Sequence, residues 1–333
     1  MRSIMLCDIH QHAVTVYTPA FYAFLKEQAG LDDKIYTKED IMANPAAFQD
    51  VDFIFSTWGM PVMTEEEIAA AFPKVQCLFY GAGSVQAFAR PFLHRGIKVF
   101  SAWGANAVPV AEYTLAQILL ANTGYFHACG PMSTGNHEAA YPFKNIFPGN
   151  YDVSVGIIGV GMIGKIVIDL LKGYKIHIKA YSPSLTEEKA AALGVERSTI
   201  EDIFATCQVV SNHMADLPQT KGMLGKKLFA SMLPYATFLN TGRGAQVVEA
   251  ELAEVLAERP DLFAVLDVTM PEPPVEDHPF YRLPNCILTP HIAGSLGNEV
   301  RRMGEYMLNE FSHYVKGEPC EYEVTEKMLE RLA

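Results

Sequence analysis

The sequence predicts an α/β protein built from two doubly wound parallel sheets, and three observations carry that prediction. Residues 1–104 alternate short apolar strands with helical segments. A second alternating series begins at Asp152. The first turn of that second series is glycine-rich, Gly159-x-Gly161-x-x-Gly164, with β-branched residues before it and an apolar-periodic segment (Ile166, Val167, Leu170, Leu171) after it. Alternation of this kind implies parallel strands joined by helical crossovers.

In the first series the expected strands are Ser3–Cys7, Lys34–Tyr36, Val51–Phe55, Val75–Tyr80 and Lys98–Ser101. Between them the pattern predicts helices over Phe21–Gln28, closed by Gly30, over Glu65–Phe72, capped by Thr64, and over Val85–His94. Asn106-Ala-Val-Pro-Val-Ala-Glu112 leads into an apolar helix through Ala121. The stretch Thr123–Asn150 is polar, aromatic and rich in Gly and Pro, and reads as a long, partly irregular connection.

The second series has strands at Val153–Ile158, Ile176–Tyr181, Val209–Ser211, Thr237–Asn240, Phe263–Asp267 and Cys286–Thr289. Helices lie between most of them, including Thr186–Leu193 and Val247–Glu258, and Asn298–Lys316 forms a long C-terminal helix. A strand, a glycine turn and a helix are the context that a dinucleotide-binding motif requires. Gly159 permits the turn, Gly161 lets the backbone approach a pyrophosphate, and Gly164 lets helix and strand pack closely. The helix start offers unpaired N–H groups and a positive dipole end to the phosphates.

A chain of 333 residues accommodates two cores. Half of it is hydrophobic and 19% is charged, as in ordinary globular proteins. A net charge of −12 argues against non-specific attachment to nucleic acid or an anionic membrane. Six scattered cysteines without a C-x-x-C argue against a zinc ribbon or a disulfide scaffold and fit a reducing compartment. The first residues lack a signal-peptide core and no stretch has membrane-spanning length, so a cytoplasmic protein is expected.

In such sheets ligands sit beyond the carboxyl ends of the strands. Two loops of the first series lie there, Ser56-Thr57-Trp58-Gly59 and Gly81-Ala82-Gly83-Ser84. Small residues before a helix suit a small anion, and they equally suit a plain glycine turn. Trp58 fits a pocket wall or ordinary packing. In the second series three strands run into polar residues at the same edge, reaching Arg243, Glu272 and His291. Alone, Arg243 reads as a surface cation, Glu272 as a solvated loop acid and His291 as a satisfied histidine, but the three together beside a nucleotide loop suit hydride transfer. A carbonyl reduced by hydride must gain a proton, which histidine can supply. A carboxylate on the imidazole fixes its tautomer, and arginine forks onto a carboxylate and polarises the neighbouring carbonyl.

Gly159–Gly164, Asn240-Thr-Gly-Arg-Gly244, Leu266-Asp-Val268, Glu272-Pro273 and Thr289-Pro-His-Ile-Ala-Gly294 together resemble the D-isomer-specific 2-hydroxyacid dehydrogenases. Gly81-Ala-Gly83 and the segment from Asn106 to Glu112 are similar to that family's substrate loop and interdomain helix start. The resemblance implies a flavodoxin-like substrate domain made of residues 1–104 and 299–333, with a Rossmann cofactor domain, residues 105–298, inserted in it. It implies His291 as acid/base, Glu272 as its partner and Arg243 as the substrate anchor, with backbone groups around Ala82, Gly83 and Ser84 on the substrate carboxylate. It places Met162 and Ile163 on the pyrophosphate, Thr241 and Asp267 at the nicotinamide half, and His213 beside the cofactor. A homodimer is the family's usual assembly.

Two departures from the family pattern stand out. The second strand of the cofactor domain ends in Ser182, where an acid usually takes the ribose hydroxyls. No arginine follows directly, and Lys189 lies on a helix that the sequence alone does not orient, so the choice between NAD and NADP stays open, with NAD ahead through family habit. After Gly83 come Ser84-Val85-Gln86, which departs from the family's common loop and leaves the acid unassigned. The leading expectation is an enzyme acting on a small 2-oxo or D-2-hydroxy acid. The alternative is a nucleotide-sensing, partner-binding scaffold with little turnover, and a formate-type dehydrogenase stands third.

Overall fold

Five short apolar strands form the first sheet: β1 (Ser3–Leu6), β2 (Leu31–Tyr36), β3 (Phe53–Ser56), β4 (Cys77–Tyr80) and β5 (Lys98–Ser101). They are parallel, in the order β2-β1-β3-β4-β5, and a two-residue strand, Glu323–Val324, pairs antiparallel with β5 at the edge. The order is that of a flavodoxin-like sheet. The computed structural model describes residues 1–330. In it this sheet belongs to a unit made of Met1–Asn106 and the segment from Ser295 onward, while Ala107–Gly294 forms a second unit.

Helices of the first unit start and stop where local chemistry dictates. Thr37 and Thr64 close capping boxes with Asp40 and Glu67, and Gly30 ends the helix Pro19–Ala29 in the left-handed conformation. The C-terminal helix Val300–Lys316 lays Met303, Met307 and Phe311 into this unit's core. The Phe311 ring meets Phe53, Phe55 and Phe79 at centroid separations of 5.5–5.8 Å. Burying one such ring stabilises the fold by roughly 2–3 kcal/mol.

The second sheet comprises β6 (Tyr151–Ile158), β7 (Lys175–Tyr181), β8 (Glu196–Arg197), β9 (Val209–Asn212), β10 (Thr237–Asn240), β11 (Phe263–Leu266) and β12 (Cys286–Leu288). All pairings are parallel, in the order β8-β7-β6-β9-β10-β11-β12. The order reverses direction at β6, so the turn after β6 lies at the switch point where doubly wound sheets bind ligands.

Two elements go unmarked in the sequence and one expectation needs correction. β8, at two residues, is too short to show any alternation in sequence. The segment His10–Val16 is helical although nothing in its pattern marks it. Thr123–Asn150 is not mainly irregular, since it contains helices Tyr125–Ser133 and His137–Ala140. Gly130 and Pro131 break the periodicity there, and burial is aromatic rather than periodic. His127 lies 5.0–6.0 Å, ring to ring, from Phe143, Phe147, Tyr235 and Phe263.

Candidate active site

The turn after β6 separates the work of its glycines. Gly159 has φ +95°, and a Cβ there would lie 2.6 Å from the backbone of His213 and Met214. A Cβ on Gly164 would lie 2.1 Å from the Gly159 carbonyl oxygen. Both positions are closed to any larger residue. At Gly161, in contrast, an added Cβ meets nothing within 4 Å. Gly161 is the N-cap of the helix Met162–Leu171 and offers it no side-chain cap. The first helical N–H groups therefore face open space, as a dinucleotide's phosphates require. The residues present fit such a cofactor.

Further along this edge, β10 runs into Thr241-Gly242-Arg243, held by a buried amide network. Asn212 Nδ2 donates to Asn240 Oδ1 (2.9 Å) and Gln246 Oε1 (2.5 Å). Asn240 Nδ2 donates to the Arg243 carbonyl (3.1 Å), and Gln246 Nε2 donates to the carbonyls of Met214 (2.7 Å) and Ala215 (2.9 Å). With its backbone held this way, Arg243 keeps one Nη1 bond to the Gly242 carbonyl (2.8 Å) and has no carboxylate partner among the described residues. Its fork is left to meet an external anion.

His291 follows β12, with φ +53°, in the left-handed region that costs an L-residue about 1–2 kcal/mol. What holds it there is Asp267, the first residue after β11 and 2% exposed. The Asp267 Oδ1 accepts from the Thr289 hydroxyl (2.6 Å) and the Ile292 N–H (2.8 Å), and Oδ2 accepts from the Ala293 N–H (2.9 Å). The Asp267 carbonyl accepts from the His291 N–H itself (3.1 Å). One buried carboxylate thus staples both sides of the His291 turn. Tyr113 extends the staple by bonding to the Thr289 hydroxyl (3.3 Å).

His291 Nδ1 meets Glu272 Oε1 at 2.6 Å, and both side chains are nearly half exposed. The carboxylate requires the proton on Nδ1 in the neutral ring, so Nε2 is the atom that can give or take a proton toward solvent. The loop bearing Glu272 is itself braced: Glu249 Oε1 accepts from the Met270 N–H (2.8 Å), and Oε2 meets His278 Nε2 (3.2 Å). Burial pushes the Glu249 carboxyl above the usual carboxylate range.

His213, at the end of β9, lies between the Ser211 hydroxyl (2.9 Å from Nε2) and the Thr241 hydroxyl (3.2 Å from Nδ1), and Thr241 reaches Thr114 (3.2 Å). Burial pushes the imidazole down to about 4, so it stays neutral. Ser182, at the end of β7, is partly exposed, with its hydroxyl 3.5 Å from that of Ser184.

In the first unit, Trp58 follows β3 and is partly exposed, with its carbonyl bonded by His12 Nδ1 (3.1 Å). The loop after β4 is fixed from inside: the Ser101 hydroxyl donates to the carbonyls of Ala82 (2.9 Å) and Gly83 (2.6 Å). The Ala82 N–H is taken by the Tyr80 carbonyl (2.9 Å), whereas those of Gly83 and Ser84 have no acceptor among the described residues. The next helix begins only at Ala89 rather than Val85, because Val85–Phe88 forms a turn. Any anion held here is therefore held by loop amides and not by a helix end.

The family model described as "D-isomer specific 2-hydroxyacid dehydrogenase, NAD binding domain" matches residues 134–293, the stretch that carries every glycine, acid and base of the second unit's edge. The chain belongs to the D-isomer-specific 2-hydroxyacid dehydrogenase family. Members similar in sequence include the D-3-phosphoglycerate dehydrogenases of Archaeoglobus fulgidus (30% identical over 225 residues, 68% of this chain and 42% of that one) and Methanocaldococcus jannaschii (31% over 230 residues, 68% and 43%). The matched region spans less than half the length of these curated relatives. In fold the chain is similar to Rhodotorula graminis D-mandelate dehydrogenase, with a TM-score of 0.82 over 98% of this chain and 97% of that one, at 18% identity.

Within this dehydrogenase fold the expected residues of the second unit, Gly159–Gly164, Ser182, His213, Thr241, Arg243, Asp267, Glu272 and His291, all lie in segments that follow strand ends. Two supports went unnoticed in sequence, Asn212 and Gln246. Their signal was a polar residue in an apolar context: Asn212 closes a buried strand, and Gln246 is fully buried despite following an exposed-looking turn. Asp267, expected at the nicotinamide, also accepts hydrogen bonds from the His291 turn on both its oxygens.

Proposed function

We propose that this protein is a nicotinamide-dependent oxidoreductase of small 2-oxo and D-2-hydroxy acids. The observation that carries the reading is the His291–Glu272 pair at 2.6 Å, on a turn stapled by Asp267, along the sheet edge that also bears Arg243 and the open helix start at Gly161. The names of the similar proteins support the substrate class, since phosphoglycerate and mandelate both carry a hydroxyl next to a carboxylate. When bound, a nicotinamide cofactor would supply or accept the hydride. The N–H groups of Met162 and Ile163 would hold its pyrophosphate, and Thr241, Asp267 and the neutral His213 would border its other half.

His291 Nε2 gives a proton to the oxygen of the 2-oxo acid in reduction and takes it back in oxidation. Glu272 holds the ring in the Nδ1–H tautomer and balances the imidazolium. Arg243 binds the carboxylate and polarises the carbonyl, while Trp58 and the loop Ala82–Ser84, through the open amides of Gly83 and Ser84, are proposed as further substrate contacts. NAD is the family's usual cofactor, and a homodimer is its usual assembly.

A panel of 2-oxo acids with NADH and NADPH, read at the nicotinamide absorbance, tests the proposal. His291→Ala is expected to lower kcat by about 10²–10⁴-fold with cofactor Kd unchanged. Full turnover in that variant refutes the assignment of His291. Tight cofactor binding with no turnover on any acid favours a sensing scaffold instead.

A further inference from the structure

We propose that the end of β7 is a binding site for a phosphate on the adenosine ribose, so that this chain prefers NADP(H) over NAD(H). The inference rests on the reading that the second unit binds a nicotinamide dinucleotide, and deepens it. Four observations point the same way.

β7 ends in Tyr181-Ser182-Pro183-Ser184 with no carboxylate, where an acid would chelate the ribose hydroxyls and repel a 2′-phosphate. The hydroxyls of Ser182 and Ser184 stand 3.5 Å apart, close enough to serve one phosphate group. A cavity of about 310 Å³ opens beside Ser184, with Ser182 outside its lining, between Val160 and Lys165 on the glycine turn and its helix and Lys189 and the apolar Ala192 and Leu193 on the next helix. Val160 ties this cavity to the dinucleotide motif itself.

The lysines settle the sign of the charge. Lys189 was the residue that the sequence left unplaced. The helix Glu187–Leu193, capped by Thr186, turns Lys189 back so that its Nζ donates to the Ser184 carbonyl (3.1 Å). Among the described residues neither Lys189 nor Lys165 has a carboxylate partner. Neighbouring cations do: Lys172 with Asp169, Lys179 with Asp202, and Arg197 with Glu187. That last pair also occupies Glu187 at the start of the same helix, and Arg197 Nε braces the loop through the Leu185 carbonyl (2.8 Å). Two ammonium groups without carboxylates, two hydroxyls and no acid at the strand end suit a dianion and not a bare diol.

The test uses binding of fragments to the full chain by calorimetry, with 2′,5′-ADP and ADP as probes, and needs no turnover. The wild-type protein is expected to bind 2′,5′-ADP at least about tenfold tighter than ADP, one charge-assisted contact being worth that factor. Lys189→Ala, a change at an exposed position, should erase most of that preference while leaving ADP affinity within about twofold. Ser182→Asp should reverse the preference. Equal or tighter binding of ADP by the wild type overturns the proposal, as does an unaltered preference in Lys189→Ala. Absence of binding by both probes, and by NADH and NADPH, overturns the dinucleotide reading as well, so the two failures are distinct.

Discussion

Replacing Asp267 by Asn tests whether this residue serves the His291 turn or the cofactor. Three donors converge on its buried carboxylate, from Thr289, Ile292 and Ala293, at 2.6–2.9 Å. Asn keeps one oxygen but turns an NH₂ toward one of those donors. One charge-assisted bond is lost, worth roughly 1.5–3 kcal/mol, and the remaining bonds lose their charge. The left-handed backbone of His291 then recovers its ~1 kcal/mol by relaxing, which adds to the bias against the bound turn. A local loss of about 3 kcal/mol corresponds to an approximately 10²-fold fall in the population with His291 on Glu272. The expected result is a fall in kcat of that order with cofactor Kd changed by less than about threefold. Binding by fluorescence and steady-state kinetics on the best acid of the panel measure both. A raised cofactor Kd with unchanged kcat refutes the staple and returns Asp267 to a direct cofactor contact.

Two further outcomes follow from the same geometry. Gly161→Ala places its methyl in open space at φ −79°, so the variant should melt within a few degrees of the wild type and lose dinucleotide affinity, whereas Gly159→Ala, at φ +95° and against the His213 backbone, should be markedly less stable. Thermal melts paired with cofactor titration separate the two, and equal binding by Gly161→Ala contradicts the phosphate cradle. His213 provides a pH test. Its folded value of about 4 lies below the ordinary 6.5, so the unfolded chain binds its proton first as pH falls. The stability it protects is full above about 6.5 and is lost as pH drops toward 4, by ~3 kcal/mol if the whole difference is expressed. His213→Gln should flatten that part of the urea-midpoint profile, and an unchanged slope assigns the acid sensitivity elsewhere.

What the sequence by itself determined is what depends on short-range pattern. The glycine turn, the strands around it and the caps at Thr64 and Gly30 follow from φ requirements, apolar runs and side-chain hydrogen bonds within a few residues. Arg243, Glu272 and His291 were recognisable as a set because each follows a strand end, and parallel strands bring those ends to one edge. Tertiary structure decided what depends on distant partners. The Tyr125–Ser133 helix is held by aromatic packing that no period records. Asp267 reads as a cofactor contact in sequence, yet its carboxylate meets groups 22–26 positions away. Lys189 is seven residues from Ser182 along the chain, and only the direction of the capped helix returns its ammonium to the strand end. Local sequence sets the backbone's conformation, but the direction of a side chain at a site depends on how whole elements pack, and cofactor choice is read from that direction.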